Sequence, residues 1–139
     1  AVYNHNVETV PRLQKSIRPQ AAFERSLKVL ETVKSLDPAC TTKSGIMLGL
    51  GETQDEIFET AAALKSVGCD ILTMGQYLPP GPGYLPVKEY VAPEVFESLA
   101  REIRAMGFRF VFSGPYVRSS YHAGETFHNQ VREGSDHNG

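Results

Sequence analysis

An α/β fold built from parallel β/α units is the architecture this sequence predicts, and three observations predict it. Short apolar runs alternate with longer amphipathic stretches in the order strand, helix, strand, helix, strand, helix, strand. The helical stretches carry their own start and stop signals: a capping-box pattern at Thr53-Gln54-Asp55-Glu56, a proline at Pro93 suited to a first helical position, and Gly68 and Gly107 as stops. Every distinctive polar motif also falls just after a strand, where parallel β/α proteins place their ligands on loops held by a rigid frame.

The elements follow in order. Val2 to Asn6 is the first strand candidate, and Ala21 to Ser35 the first helix, with Phe23, Leu27, Leu30 and Val33 or Lys34 near helical spacing. Pro38 helps to end it, because proline lacks the amide hydrogen and restricts the residue before it. Thr42 to Leu50 reads as the second strand. The helix opening at Thr53 buries Ile57, Ala61 and Leu64, and Gly68 stops it. Asp70 to Gly75 is a third strand, followed by Leu78-Pro79-Pro80-Gly81-Pro82-Gly83-Tyr84-Leu85-Pro86, in which proline and glycine forbid a helix or central strand. From Pro93 a third helix turns Phe96, Leu99, Ile103 and Met106 inward, and Phe108 to Phe112 is the fourth strand. From about residue 125 the chain is polar and aperiodic, which predicts a frayed end.

At 139 residues the chain fits one domain able to bury roughly two-thirds of its unfolded surface. With 14 basic and 16 acidic residues and no basic run, nothing predicts a nucleic-acid partner. No apolar stretch approaches the about 18 residues of a membrane span, and the first residues carry no charged leader, so the expectation is a soluble, intracellular protein. Cys40 and Cys69 lie far apart, neither with a second cysteine at metal-ligand spacing. They read as a loop thiol and a small buried hydrophobe.

Four motifs converge on the strand ends. Asn4 and Asn6, on one side of an extended segment, offer amides that donate and accept, unless the pair is a turn satisfying its own backbone. Glu8 can accept hydroxyl or amino protons, or pair with Arg12 four residues on. Gly49-Leu50-Gly51-Glu52 lets a ligand approach the backbone, yet lacks both the dinucleotide and the phosphate-loop patterns. Lys43 reads as lying on the strand or at its start, away from the reacting end. Gln76 and Tyr77 follow the third strand. Arg118-Ser119-Ser120-Tyr121 follows the fourth: Arg118 suits a carboxylate, and neither serine has the turn of a hydrolase nucleophile. His5, His122, His128 and His137 have no spacing that makes a metal site.

Together, Asn4-His5-Asn6-x-Glu8-Thr9, the run Lys43 to Glu52, Leu72-Thr73-Met74-Gly75-Gln76-Tyr77-Leu78, Ser113-Gly114-Pro115 and Arg118 to Tyr121 resemble the carboxyl-terminal part of lipoyl synthase, from about Val2 to His128. The resemblance implies a partial (β/α)6 barrel of the radical S-adenosylmethionine (SAM) superfamily, with residues 1–107 as its carboxyl-terminal part. Residues 108–125 would be a carboxyl-terminal extension and 126–139 a flexible tail. It implies an enzyme that inserts two sulfur atoms, at carbons 6 and 8 of an octanoyl group on a carrier protein. Two 4Fe-4S clusters and SAM are the implied cofactors, one cluster cleaving SAM and the other sacrificed as sulfur donor. By position, Ser120 would be the serine ligand of the auxiliary cluster, with Arg118 and Tyr121 as supports. Asn4, Asn6, Glu8, Arg18, Gly49 and Gln76 would belong to the SAM or substrate pocket. The implied partners are octanoylated lipoyl carrier domains, of E2 subunits or the glycine cleavage H protein. The implied compartment is the cytoplasm, or the mitochondrion in a eukaryote.

The departure from that family is large, because both three-cysteine motifs that would hold the clusters are absent. Four strands are also too few to close an eight-stranded parallel barrel, and an open edge leaves backbone groups unpaired and predicts self-association. The chain therefore reads as an inactive fragment of such an enzyme. The alternatives are a self-contained four-stranded domain and a non-catalytic binding relative that has lost the cluster motifs. Another radical SAM sulfur-inserting enzyme, such as a biotin synthase relative, is disfavoured by Arg118 to Tyr121.

Overall fold

In the computed structural model, residues 1–17 and 23–117 are described, and they form one parallel sheet with helices between its strands. The strands are β1 (Val2–Asn4), β2 (Thr41–Leu48), β3 (Ile71–Gln76) and β4 (Phe110–Ser113), ordered β1-β2-β3-β4. A 3-10 turn at Pro11–Leu13 runs into a single helical turn, α1 (Gln14–Ile17). The crossovers are α2 (Phe23–Leu36), α3 (Gln54–Ser66) and α4 (Pro93–Arg104). The α/β class and the parallel β/α order read from the sequence are thus the observed ones.

Strand parity decides which face is covered, since successive side chains point to opposite sides. Ile46 and Leu48 on β2, Leu72 and Met74 on β3 and Val111 on β4 share one cluster with Phe23, Leu30, Ile57, Leu64, Phe96, Leu99 and Ile103 from the helices. All three long helices therefore cover the same face of the sheet. Each large side chain buried there contributes about 1.5–3 kcal/mol. The opposite parity carries Lys43, Gly45 and Met47 beside Ile71, Thr73 and Gly75, in direct register.

Local signals set the element ends. At the start of α3, Thr53 accepts from the Glu56 amide at 3.1 Å and the Glu56 carboxylate accepts from the Thr53 amide at 2.9 Å, completing the capping box. The strand ends differ from the sequence reading. β2 stops at Leu48 instead of Leu50, because Gly49 and Gly51 take φ of 103° and 108°, outside any strand conformation. β4 begins at Phe110, because Arg109 and Phe110 both donate to the Asp70 carbonyl before the ladder proper starts.

The amino-terminal ends of the strands are closed by a polar staple. Asp70 Oδ2 accepts from Lys34 Nζ at 2.6 Å and from the Thr42 amide at 2.9 Å, while Lys34 also donates to the Cys40 carbonyl at 2.8 Å. Cys69 is buried beside this staple, and burial pushes its thiol up to about 12, so it is an inert core residue as expected. Among the described residues no helix is long and apolar enough to cross a membrane.

Candidate functional site

The first strand's continuation is the least regular part of the frame and carries the site's acidic residue. β1 ends at Asn4, paired with Lys43, and pairing resumes at Glu8, which bridges Ile46. Four steps on one strand thus match three on the other, which is a bulge. Glu8 absorbs the misfit with φ of 73°, the only positive φ at a non-glycine among the described residues. Such a conformation persists only when its surroundings over-determine it. Here they do: the Glu8 amide donates to the Gly45 carbonyl at 3.1 Å and its carbonyl accepts from the Met47 amide at 2.8 Å. The Val7 amide bonds Ser44 Oγ at 3.2 Å, and the buried Gln14 amide donates to the carbonyls of Val7 and Thr9 at 2.8 and 2.7 Å.

At this end of the sheet lies a cavity of about 420 Å³. Its lining draws on every strand end: Glu8 after β1, Met47 on β2, Gln76 and Tyr77 at the end of β3, Pro115 after β4. Ser16 and Ile17 from α1 and Leu78, Pro80, Tyr84 and Leu85 from the loop after β3 complete it. A largely apolar space with one carboxylate and a few hydroxyls suits an organic ligand that is mostly hydrocarbon and carries a polar end.

The residues singled out from the sequence divide around this cavity. Glu8 and Gln76 line it, whereas Asn4, Asn6 and Gly49 do not. Asn6 lies against Gly45: a Cβ there would meet Asn6 Oδ1 at 3.0 Å and Thr73 Oγ1 at 2.7 Å. Gln76 spends its amide on the frame, donating to the carbonyls of Tyr77 and Glu89 at 3.0 Å each and accepting from the Val91 amide at 2.9 Å. Gly49 is required by contact as well as by φ, since a Cβ would run into Gln76 Nε2 and the Glu89 carbonyl. Arg18, Arg118, Ser120 and Tyr121, together with His122, His128 and His137, lie outside the described residues.

Three polar side chains near the site find partners that their sequence context does not specify. Arg12 pairs with Glu56 on α3, not with Glu8: its guanidinium meets the two carboxylate oxygens at 2.7 and 3.0 Å and donates to the Gly51 carbonyl at 2.8 Å. An i,i+4 pair needs a continuous α-helix, whereas the chain from Glu8 to Arg12 runs through a left-handed residue and a bend into a 3-10 turn. With Arg12 and the Thr53 amide both holding it, the Glu56 carboxyl falls to about 2. Glu52 turns back on its own loop, accepting from the amides of Gly49 and Leu50 at 2.8 and 3.0 Å. His5 joins the frame through Ser26 Oγ at 3.1 Å. The sequence marks Tyr77 by its place after β3 and within the Leu72 to Leu78 run. Its significance is tertiary, because its buried hydroxyl donates to the Leu85 carbonyl at 2.8 Å.

The described residues include no group of three or more His, Cys, Asp or Glu side chains able to hold a metal ion. An iron–sulfur cluster therefore does not fit the donors present here, with Cys69 buried as a neutral thiol and Cys40 apart from it.

Comparison with known proteins bears out the resemblance to lipoyl synthases. Over 125 residues the chain is 59% identical to Lipoyl synthase 2 of Thermosynechococcus vestitus, covering 90% of this chain and 43% of that protein. It is 52% identical over 124 residues to the lipoyl synthase of Alkaliphilus metalliredigens, covering 89% and 43%. The lipoyl synthase of Klebsiella pneumoniae matches at 53% over 122 residues, covering 88% and 38%. The resemblance read from the motifs thus extends over nine-tenths of the sequence, and the chain spans about two-fifths of the length of these curated relatives. No family model matches it.

Proposed function

We propose that this chain, a lipoyl synthase in sequence, is the carboxyl-terminal part of such an enzyme and supplies the strand-end wall of its substrate chamber. The reaction proposed for the whole protein is insertion of sulfur at carbons 6 and 8 of a protein-bound octanoyl group. SAM and iron–sulfur clusters would provide radical and sulfur chemistry from ligands outside the described residues. The observation that carries the reading is the cavity, built from all four strand ends and combining an apolar wall with the Glu8 carboxylate.

The roles of the described residues follow from their surroundings. Met47, Leu78, Tyr84 and Leu85 present the hydrocarbon surface that an eight-carbon chain would displace water from. Glu8, fixed by its bulge, offers an acceptor to an amide or hydroxyl at the polar end of a ligand. Gln76, Glu52 and Arg12 hold the loops that shape the space. Octanoylated lipoyl carrier domains are the proposed macromolecular substrate.

Two experiments test this. Anaerobic reconstitution of the 139-residue chain with iron and sulfide is expected to yield no stoichiometric four-iron cluster and no sulfur insertion. Co-expression with the amino-terminal part of the Thermosynechococcus relative is expected to restore conversion of an octanoylated carrier to the lipoylated form, read by intact mass. A soluble, cluster-loaded assembly that leaves the octanoyl group unchanged refutes the assignment.

A further inference from the structure

The loop between β3 and α4 is held very unevenly. Its distal stem is clamped: the amides of Lys88 and Glu89 donate to the Gly49 carbonyl at 2.8 and 3.3 Å, and Gln76 brackets Glu89 and Val91. Its start is fixed by the Tyr77 amide on the Leu48 carbonyl at 2.8 Å. Between these anchors, among the described residues, a single hydrogen bond ties residues 78–86 to the frame, from the Tyr77 hydroxyl to the Leu85 carbonyl. The composition explains the sparseness, because Pro79, Pro80, Pro82 and Pro86 have no amide hydrogen to donate. This same segment forms the outer wall of the cavity, and its Leu78, Tyr84 and Leu85 are 52%, 62% and 38% exposed on the solvent side.

We propose that Tyr77 is a positioning residue whose hydroxyl latches residues 78–86 over the cavity as a strap, which opens at that one bond to admit an apolar chain. The prolines make the strap stiff, and Gly83 at φ of 86° makes its reversal, so it swings as a piece between its two anchors instead of unravelling. Leu78, Tyr84 and Leu85 cost little to move, since each already faces water on one side. An aliphatic ligand entering beneath the strap would cover their inner faces and favour closure. The class of that ligand rests on the function proposed above; the latch itself does not.

Hydrogen exchange and limited chymotrypsin cleavage on the full chain test the latch, using Tyr77→Phe, which keeps the ring and deletes only the hydroxyl. Losing one hydrogen bond predicts roughly five-fold faster exchange across 78–87 and similarly faster cleavage after Tyr84, with 88–91 unchanged. Unaltered exchange and cleavage would overturn the latch, and so would equal acceleration at 88–91, which signals general loosening. If Tyr77→Phe fails to fold, the unmodified chain decides: 78–87 must open at a lower free energy than 88–91, and joint opening refutes the strap. With N-octanoyl-lysine amide as the probe, protection of 78–87 in the unmodified chain supports the whole proposal. Loosening in Tyr77→Phe without any response to that probe leaves the latch standing and overturns the acyl-chain reading of the cavity.

Discussion

Gly49→Ala should be among the most damaging single substitutions at the strand-end rim, and Gly51→Ala two residues away should not. Both glycines have φ near 105°, so both substitutions incur the backbone cost of a side chain in that region, about 1–3 kcal/mol. The unfolded-state entropy change of Gly→Ala is common to the two and cancels in their comparison. Only their surroundings differ. At Gly51 the nearest atom to a new Cβ is Lys88 Cγ at 3.9 Å, an ordinary contact. At Gly49 the Cβ collides with Gln76 Nε2 and the Glu89 carbonyl, and the two cannot both retreat without giving up the hydrogen bond between them. Losing that part-buried hydrogen bond while crowding both groups adds about 1–3 kcal/mol. The expected totals are therefore about 4 kcal/mol for Gly49→Ala and about 2 kcal/mol for Gly51→Ala. Urea unfolding followed by circular dichroism reads the difference, which at a slope of about 2 kcal/mol per molar corresponds to midpoints about 1 M apart. Equal midpoints for the two variants would refute the claim that Gly49 is there for close packing against Gln76.

Three further outcomes are expected. Glu8→Gly removes the strain of a positive φ, so the unfolding free energy read by urea should stay level or rise by up to about 1 kcal/mol, while ligand binding in the reassembled enzyme is lost; a clear loss of stability would contradict the strain. The Glu56 carboxyl has a folded pKa of about 2 against an ordinary 4.5, so its contribution is fully present above pH 4.5 and is lost as pH falls toward 2. Glu56→Gln should accordingly flatten the acid limb of the stability profile between pH 4.5 and 2, and added salt should weaken this exposed pair in the unmodified chain. Finally, iodoacetamide near pH 8 should label Cys40 and spare Cys69 until urea unfolds the chain, as mass spectrometry of the peptides would show; native labelling of Cys69 would contradict its burial.

Much of the frame was legible because its signals are local. Thr53 and Glu56 cap α3 as their spacing requires, Pro93 opens α4, and Phe96, Leu99 and Ile103 are buried at the positions their periodicity marked. The site was legible only as a location. Motifs following four strands had to meet at one end of a parallel sheet, and the cavity does draw on all four strand ends. What each side chain does there was not legible. Gln76 lines the cavity and also holds a loop, and Arg12 pairs with Glu56 instead of the sequence neighbour Glu8. Hydrogen bonds across 13 or 44 residues carry no periodic signature in the chain, because they depend on where separate strands end.

The sequence by itself determined the parallel β/α order, the buried stripes of α3 and α4 and the resemblance to lipoyl synthases, since propensity, periodicity and motif spacing are properties of the chain alone. Only the tertiary structure decided that Glu8 sits on a bulge with a left-handed backbone, that Arg12 belongs to Glu56, and that one tyrosine hydroxyl ties down the outer wall of the cavity. The first is set by the register between β1 and β2, where a shift of one residue would point different side chains at the same space, and the other two by segments that meet only in the folded chain.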